Sequence, residues 1–203
     1  ILQIKIIIVI IDEIIRILAD NSSSRLAVFI RHGEKDKFGA YPALITEQAK
    51  KDAEAMGLRL RDLKISIKIY SSPELRCVQT AKILNQKISG TSSDIVLTSF
   101  LGEPGIQVKD NKKYLELFDE HGARKIYGQW KAGKYYDALR TVDDLCSELS
   151  SFLKKTSTES KISLFVSQSG TVAALGYALG LCNYNIEEKE WVPFLDGFVF
   201  VYE

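Results

Sequence analysis

Short apolar runs alternate with stretches of helical periodicity along this chain, and that alternation confines it to an α/β design. Leu26 to Ile30 (LAVFI) has no polar interruption, as expected of a strand covered on both faces. Ile65 to Tyr70 (ISIKIY), Asp94 to Leu97, Lys161 to Val166 and Phe198 to Tyr202 read as further strands. Between them, Thr46 can cap a helix from Glu47 to Leu63 with Ala49, Ala53, Met56, Leu60 and Leu63 on one face. Ser72-Pro73 starts another helix reaching Lys87, because proline suits the first helical position. Lys109 to Gly133 reads as an irregular helix, Tyr135 to Lys154 as a long one, and Thr171 to Leu179 as a short one. Strands joined through helices lie parallel with right-handed crossovers, so a largely parallel sheet is expected.

Ahead of this pattern stands an isoleucine-rich segment, residues 1–20, separated by the polar break Asn21-Ser22-Ser23-Ser24 from a domain over 26–203. Ile1, Ile4, Ile8, Ile11, Ile15 and Leu18 follow helical spacing, which favours an amphipathic helix over a strand. Its uninterrupted apolar run, Ile6 to Ile11, is far shorter than the roughly 20 residues a bilayer requires. No small-residue cleavage site marks a signal peptide. The segment offers an apolar face for packing on the domain or for a homo-oligomer contact.

The 203 residues carry 27 basic and 26 acidic side chains, a net charge of +1. Such balance argues against a nucleic-acid partner or a whole-surface steering field, so charge must act locally. Cys77, Cys146 and Cys182 are far apart and odd in number, which suggests free thiols in a reducing compartment such as the cytoplasm. Only His32 and His121 are present, too few for a histidine-built zinc site, and no cofactor is called for.

The polar residues after the strands carry the chemistry. In open α/β sheets ligands bind beyond the carboxyl ends of the strands. The first strand delivers Arg31, His32, Gly33 and Glu34, the second Ser71, Ser72 and, one helical turn on, Arg76. The fourth ends in Ser167, Gln168 and Ser169. If these ends are adjacent, two guanidinium groups flank one imidazole, an arrangement suited to a phosphoryl group. A neutral imidazole there can attack phosphorus and carry the phosphoryl group. Glu34 and Lys35 either line the entrance or pair with each other on the surface.

Phe29 to Glu34 (FIRHGE) together with Tyr70 to Ala81 (YSSPELRCVQTA) resembles the histidine phosphatase superfamily, which includes the phosphoglycerate mutases. Asp196-Gly197 before the last strand is similar as well, and the resemblance spans Leu26 to Glu203. It implies a three-layer α/β/α sandwich with a mostly parallel central sheet and phosphomonoester hydrolysis or transfer without a metal. His32 would then be the nucleophile. Arg31 and Arg76 would bind the phosphoryl oxygens, and Glu103 in LGEPG would hold the place of a proton donor. Gly33, Glu34, Gln168 and Ser169 are expected to meet the ligand. The departure is at Val166-Ser167-Gln168-Ser169: Gln168 stands where the family has a second histidine, and Ser169 where one branch has an acid. Losing one preorganised donor typically costs about 3–4 kcal/mol of transition-state stabilisation. The alternatives to a working phosphatase are therefore a pseudo-enzyme that binds a phosphorylated ligand, or a pocket repurposed for another reaction. His121 is either a surface histidine near Gly122, the favoured reading, or reaches the site from the aromatic-rich segment containing Tyr114, Tyr127, Trp130, Tyr135 and Tyr136, for which core packing is the default.

Overall fold

Successive side chains of a strand point to opposite faces, and here the two faces differ in chemistry. Leu26, Val28 and Ile30 of the first strand share an aliphatic layer with Ile162, Leu164 and Val166 of the fourth. Ala27, Phe29 and Phe165 face the other way, into an aromatic layer with Tyr70 and Phe198. Phe29 stacks on Phe165 at 4.4 Å and on Phe198 at 5.2 Å between ring centroids. The computed structural model describes residues 2–20, 23–36, 43–92, 94–102, 104–156, 160–181 and 191–202, with side chains from Ile10 on.

The strands are β1 (Arg25–Arg31), β2 (Ile67–Ser71), β3 (Ile95–Leu97), β4 (Ile162–Ser167) and β5 (Gly197–Tyr202). They form one sheet in the order β3-β2-β4-β1-β5. All neighbours are parallel except β1 and β5, which run antiparallel with Phe29 opposite Phe198. Helices α1 (Leu2–Asp20), α2 (Glu47–Asp62) and α3 (Leu75–Ser89) bury their apolar stripes on the aliphatic face. Helices α4 (Asn111–Lys131), α5 (Val142–Thr156) and α6 (Ser169–Ala178) cover the aromatic face. The result is the expected α/β/α sandwich.

The N-terminal helix is present, but its buried stripe differs from the expected one. Ile10, Ile11 and Ile14 are buried against the domain's own sheet, while Ile15 is 44% exposed. Of the expected stripe, Ile11 is packed within the chain, Leu18 is partly covered and Ile15 is exposed. Among the described residues, no helix is long and apolar enough to cross a membrane.

Thr46 caps α2 as expected, accepting from Ala49 N at 3.1 Å. Pro73 does not open α3: the helix begins at Leu75 with Glu74 as its cap residue, because Ser72 Oγ accepts the Glu74 N–H and closes a turn first. The helix expected from Tyr135 starts only at Val142. Residues 138–140 instead pair their backbone with 107–110: Lys109 N donates to Ala138 O at 2.8 Å, and Arg140 N donates to Gln107 O at 2.9 Å. Arg140 Nη1 also donates to the carbonyls of Ile106 and Val108, both at 2.6 Å. These bonds hold the segment extended beside the loop, and Tyr135 takes a left-handed conformation. The expected irregularity of α4 is a break at Gly122.

Candidate active site

Because β4 lies between β2 and β1, the three polar strand ends are consecutive. Backbone bonds hold them in register beyond the sheet: His32 N donates to Ser167 O and Ser72 N to Val166 O, each at 3.0 Å. Helix α3 leaves directly after β2, so Arg76 in its first turn reaches across the end of β4 to His32. Arg76, Gln168 and His32, far apart in sequence, meet as a buried cluster.

His32 Nδ1 lies 2.7 Å from the carbonyl oxygen of Gly33. A carbonyl only accepts, so Nδ1 carries the proton and Nε2 keeps its lone pair. Arg76 Nε points a donor at that lone pair from 3.2 Å. Burial holds the imidazole far below its ordinary range, at about 3, reinforced by the charges of Arg31, Arg76 and Lys35 and opposed by the bond to Gly33. At neutral pH His32 is uncharged.

Arg76 also donates Nε and Nη2 to Gln168 Oε1, at 3.0 and 2.7 Å, and its Nη1 lies 3.5 Å from Glu74 Oε2. The two donors fix the orientation of the Gln168 amide. Arg31 donates Nη1 to Val192 O at 2.6 Å and lies over the Phe194 ring at 3.6 Å. Burial lowers its pKa to about 10, with the charges of Arg124 and Arg76 acting the same way, so it remains a cation at neutral pH.

These groups form one end of a cavity of about 220 Å³, joined there by Lys35. The first turn of α6, Ser169 to Thr171, forms a second wall, which brings the positive end of a helix to the same space. Tyr114, Phe118 and Tyr127 of α4 also line the cavity, together with Pro104 and Gln107.

Of the residues named from the sequence, Arg31, His32, Arg76, Gln168 and Ser169 share this cavity. Gly33 is buried beneath it and donates its N–H to Thr80 Oγ1 at 3.0 Å. Glu34 is not on the cavity wall; its carbonyl accepts from Thr46 N at 2.8 Å. Glu103 lies outside the described residues, while its neighbour Pro104 lines the cavity. His121 is off the cavity wall, with Nε2 3.5 Å from Glu120 and its ring 6.2 Å from that of Tyr135. Tyr114 and Tyr127 are buried in the core and line the cavity at once. Lys35, for which the entrance and a surface pair with Glu34 were both open, lines the cavity, whereas Gln107 and Thr171 were not anticipated there. Lys35 adjoins the RHG motif, which was a usable signal, whereas Gln107 lies in a loop without one. Among the described residues, no group of three or more His, Cys, Asp or Glu side chains is arranged to hold a metal ion.

The family model for the histidine phosphatase superfamily (branch 1) matches residues 27–189. Three solved mycobacterial structures are similar in fold. "Mycobacterial hydrolase 1" has a TM-score of 0.54 at 17% identity, covering 87% of this chain and 90% of that one. The product of an open reading frame of Mycobacterium tuberculosis has a TM-score of 0.53 at 16% identity, covering 88% and 92%. A glucosyl-3-phosphoglycerate phosphatase has a TM-score of 0.52 at 21% identity, covering 77% and 79%. None of the curated proteins compared with the chain matches it.

Proposed function

Since the chain belongs to the histidine phosphatase superfamily (branch 1), we propose that it hydrolyses small phosphomonoesters through a phosphohistidine formed on His32. One observation carries this reading: a neutral imidazole, its Nε2 met by Arg76 Nε at 3.2 Å, shares the wall of one cavity with Arg31, Arg76 and Lys35. Arg31, Arg76 and Lys35 supply the positive charge that a phosphoryl dianion needs. The Nε2 lone pair attacks phosphorus, the P–O ester bond breaks, and the departing oxygen takes a proton from an acid. Water then attacks the phosphoryl group, the P–N bond breaks, and inorganic phosphate leaves with His32 neutral again. Glu103 is the acid in this scheme, a role worth about 10²–10⁴-fold in rate. The free thiols of Cys77 and Cys146 suit a reducing compartment, the cytoplasm.

A non-catalytic phospho-ligand receptor is the second reading, and the pairing of Arg76 with Gln168 favours it. In the unliganded cavity the arginine donors already have a neutral acceptor. The test is hydrolysis of an aryl phosphate from acid to neutral pH by the protein and its His32→Ala variant. Turnover that vanishes with His32 supports the enzyme. No turnover combined with vanadate binding supports the receptor, and turnover unaffected by the variant overturns the His32 route.

A further inference from the structure

The stretch that brings Arg76 to the site also carries Thr80, one helical turn further along α3 and fully buried. Its hydroxyl makes two directed bonds. It accepts the Gly33 N–H at 3.0 Å and donates to the carbonyl of Arg76 at 2.8 Å. A backbone N–H only donates and a carbonyl only accepts, so neither direction can be reversed. One oxygen atom thus ties the loop after β1 to the helical turn that holds Arg76. Thr80 is not on the cavity wall, so it acts on the site only through these two neighbours.

Gly33 is the residue whose carbonyl accepts the proton of His32 Nδ1. Glycine has the freest backbone, so the direction of its carbonyl is set by the bonds around it. On one side, His32 N donates to Ser167 O at 3.0 Å and Gly33 N donates to Thr80. On the other, the Glu34 carbonyl accepts from Thr46 N at 2.8 Å. Gly33 itself is packed against α2, where an added Cβ would stand 3.1 Å from Ala49 Cβ. Of these bonds, the one to Thr80 alone involves a side chain, so it is the one a substitution can remove.

We propose that Thr80 is a positioning residue that keeps the His32 proton on Nδ1 and so leaves Nε2 with its lone pair. Without the hydroxyl, the Gly33 N–H is buried with no acceptor, and the His32–Gly33 peptide turns to find one. The Gly33 carbonyl then leaves Nδ1, and the proton moves to Nε2, the nitrogen that attack on phosphorus requires bare. The ring and Arg76 Nε, 3.2 Å apart, lose their common anchor at the same time. The place of the proton depends on no reaction. Only its kinetic consequence rests on the function proposed above, and the two are read separately.

The experiment is 15N spectroscopy of the imidazole rings together with steady-state kinetics. The chain has two histidines, and His121→Gln assigns their resonances. At pH 7 the unaltered protein should show His32 protonated on Nδ1 and bare on Nε2. Thr80→Val, which keeps the shape and removes the hydroxyl, should replace this pattern by the Nε2–H form or by an average of the two. It should also lower kcat for an aryl phosphate at least about tenfold with KM within about twofold, as expected when a wrong tautomer is bound in an intact pocket. Thr80→Ser, which both donates and accepts, should restore both. A thermal melt shows which variants fold, and Thr80→Cys, with a weak acceptor in the same place, stands in for Thr80→Val if valine does not fold. An unchanged Nδ1–H pattern in the folded variant overturns the proposal, and so does a kcat that stays put while the pattern changes. A changed pattern where the unaltered protein hydrolyses no ester leaves the proposal standing and overturns the catalytic reading.

Discussion

Arg76 directs two N–H groups at a single atom, the amide oxygen of Gln168, at 3.0 Å from Nε and 2.7 Å from Nη2. In the function proposed above, a phosphoryl oxygen competes with that amide oxygen for the same donors. Binding a phosphate here therefore begins with an exchange of acceptors, in which a neutral amide gives way to an anion. The anion is the stronger acceptor, so the exchange is favourable, but the competition weakens binding relative to an arginine with open donors.

Replacing Gln168 by histidine removes the competing oxygen and places a ring N–H near the phosphoryl position. Gln168→His should raise kcat/KM for an aryl phosphate at least about tenfold. Unchanged or lower turnover would mean that Gln168 Nε2 already supplies the needed donor.

The buried state of His32 predicts an acid-sensitive fold. Its pKa is about 3 in the folded chain, against an ordinary value of 6.5. The unfolded chain therefore binds a proton first as pH falls. His32 takes nothing from stability above pH 6.5, and stability declines from there toward pH 3, by up to about 1.4 kcal/mol per pH unit. Urea unfolding of the protein and of His32→Gln, followed across this window, should converge near neutrality and separate in acid. The same pKa means that protonation of His32 does not cut off turnover between pH 7 and pH 4.

Gly197 lies opposite Ile30 where β5 approaches β1. An added Cβ would strike the carbonyl oxygen of Phe29, which is backbone and cannot move aside. Gly197→Ala should cost at least about 2 kcal/mol. For a domain of this size that lowers Tm by about 4–8 °C, readable in a thermal melt.

Helix α1 should prove integral to the domain. Ile14 is fully buried in the aliphatic layer and Ile15 largely exposed. Ile14→Ala should destabilise by about 2–4 kcal/mol, whereas Ile15→Ala should stay within about 0.5–1 kcal/mol of the parent in urea titration.

The alternation of strands and helices, and the sharing of the core between two faces, could be read along the chain. Both are local consequences of side-chain periodicity: Leu26, Val28 and Ile30 point one way and Ala27 and Phe29 the other, whatever lies beyond them. The motif residues Arg31, His32 and Arg76 were legible for a related reason, since each stands just past an apolar strand and strand ends are where ligands bind. The stripe of α1 was legible in part: Ile11 belongs to it, but several isoleucines satisfied helical spacing, and only packing against β5 and α2 chose Ile14 over Ile15. The extended course of residues 138–140 was hidden too, since Arg140 and the 106–110 loop attract that segment across a gap in sequence that no local propensity records. What the sequence determined by itself was the repertoire: the fold class, and a histidine and two arginines suited to phosphate. Only the tertiary structure decided the arrangement. It turned Gln168 toward Arg76, fixed the proton of His32 on Nδ1, and gathered Gln107 and Thr171 onto one wall. Such pairings depend on distances between groups remote in the chain, and those exist only once β4 has been laid between β2 and β1.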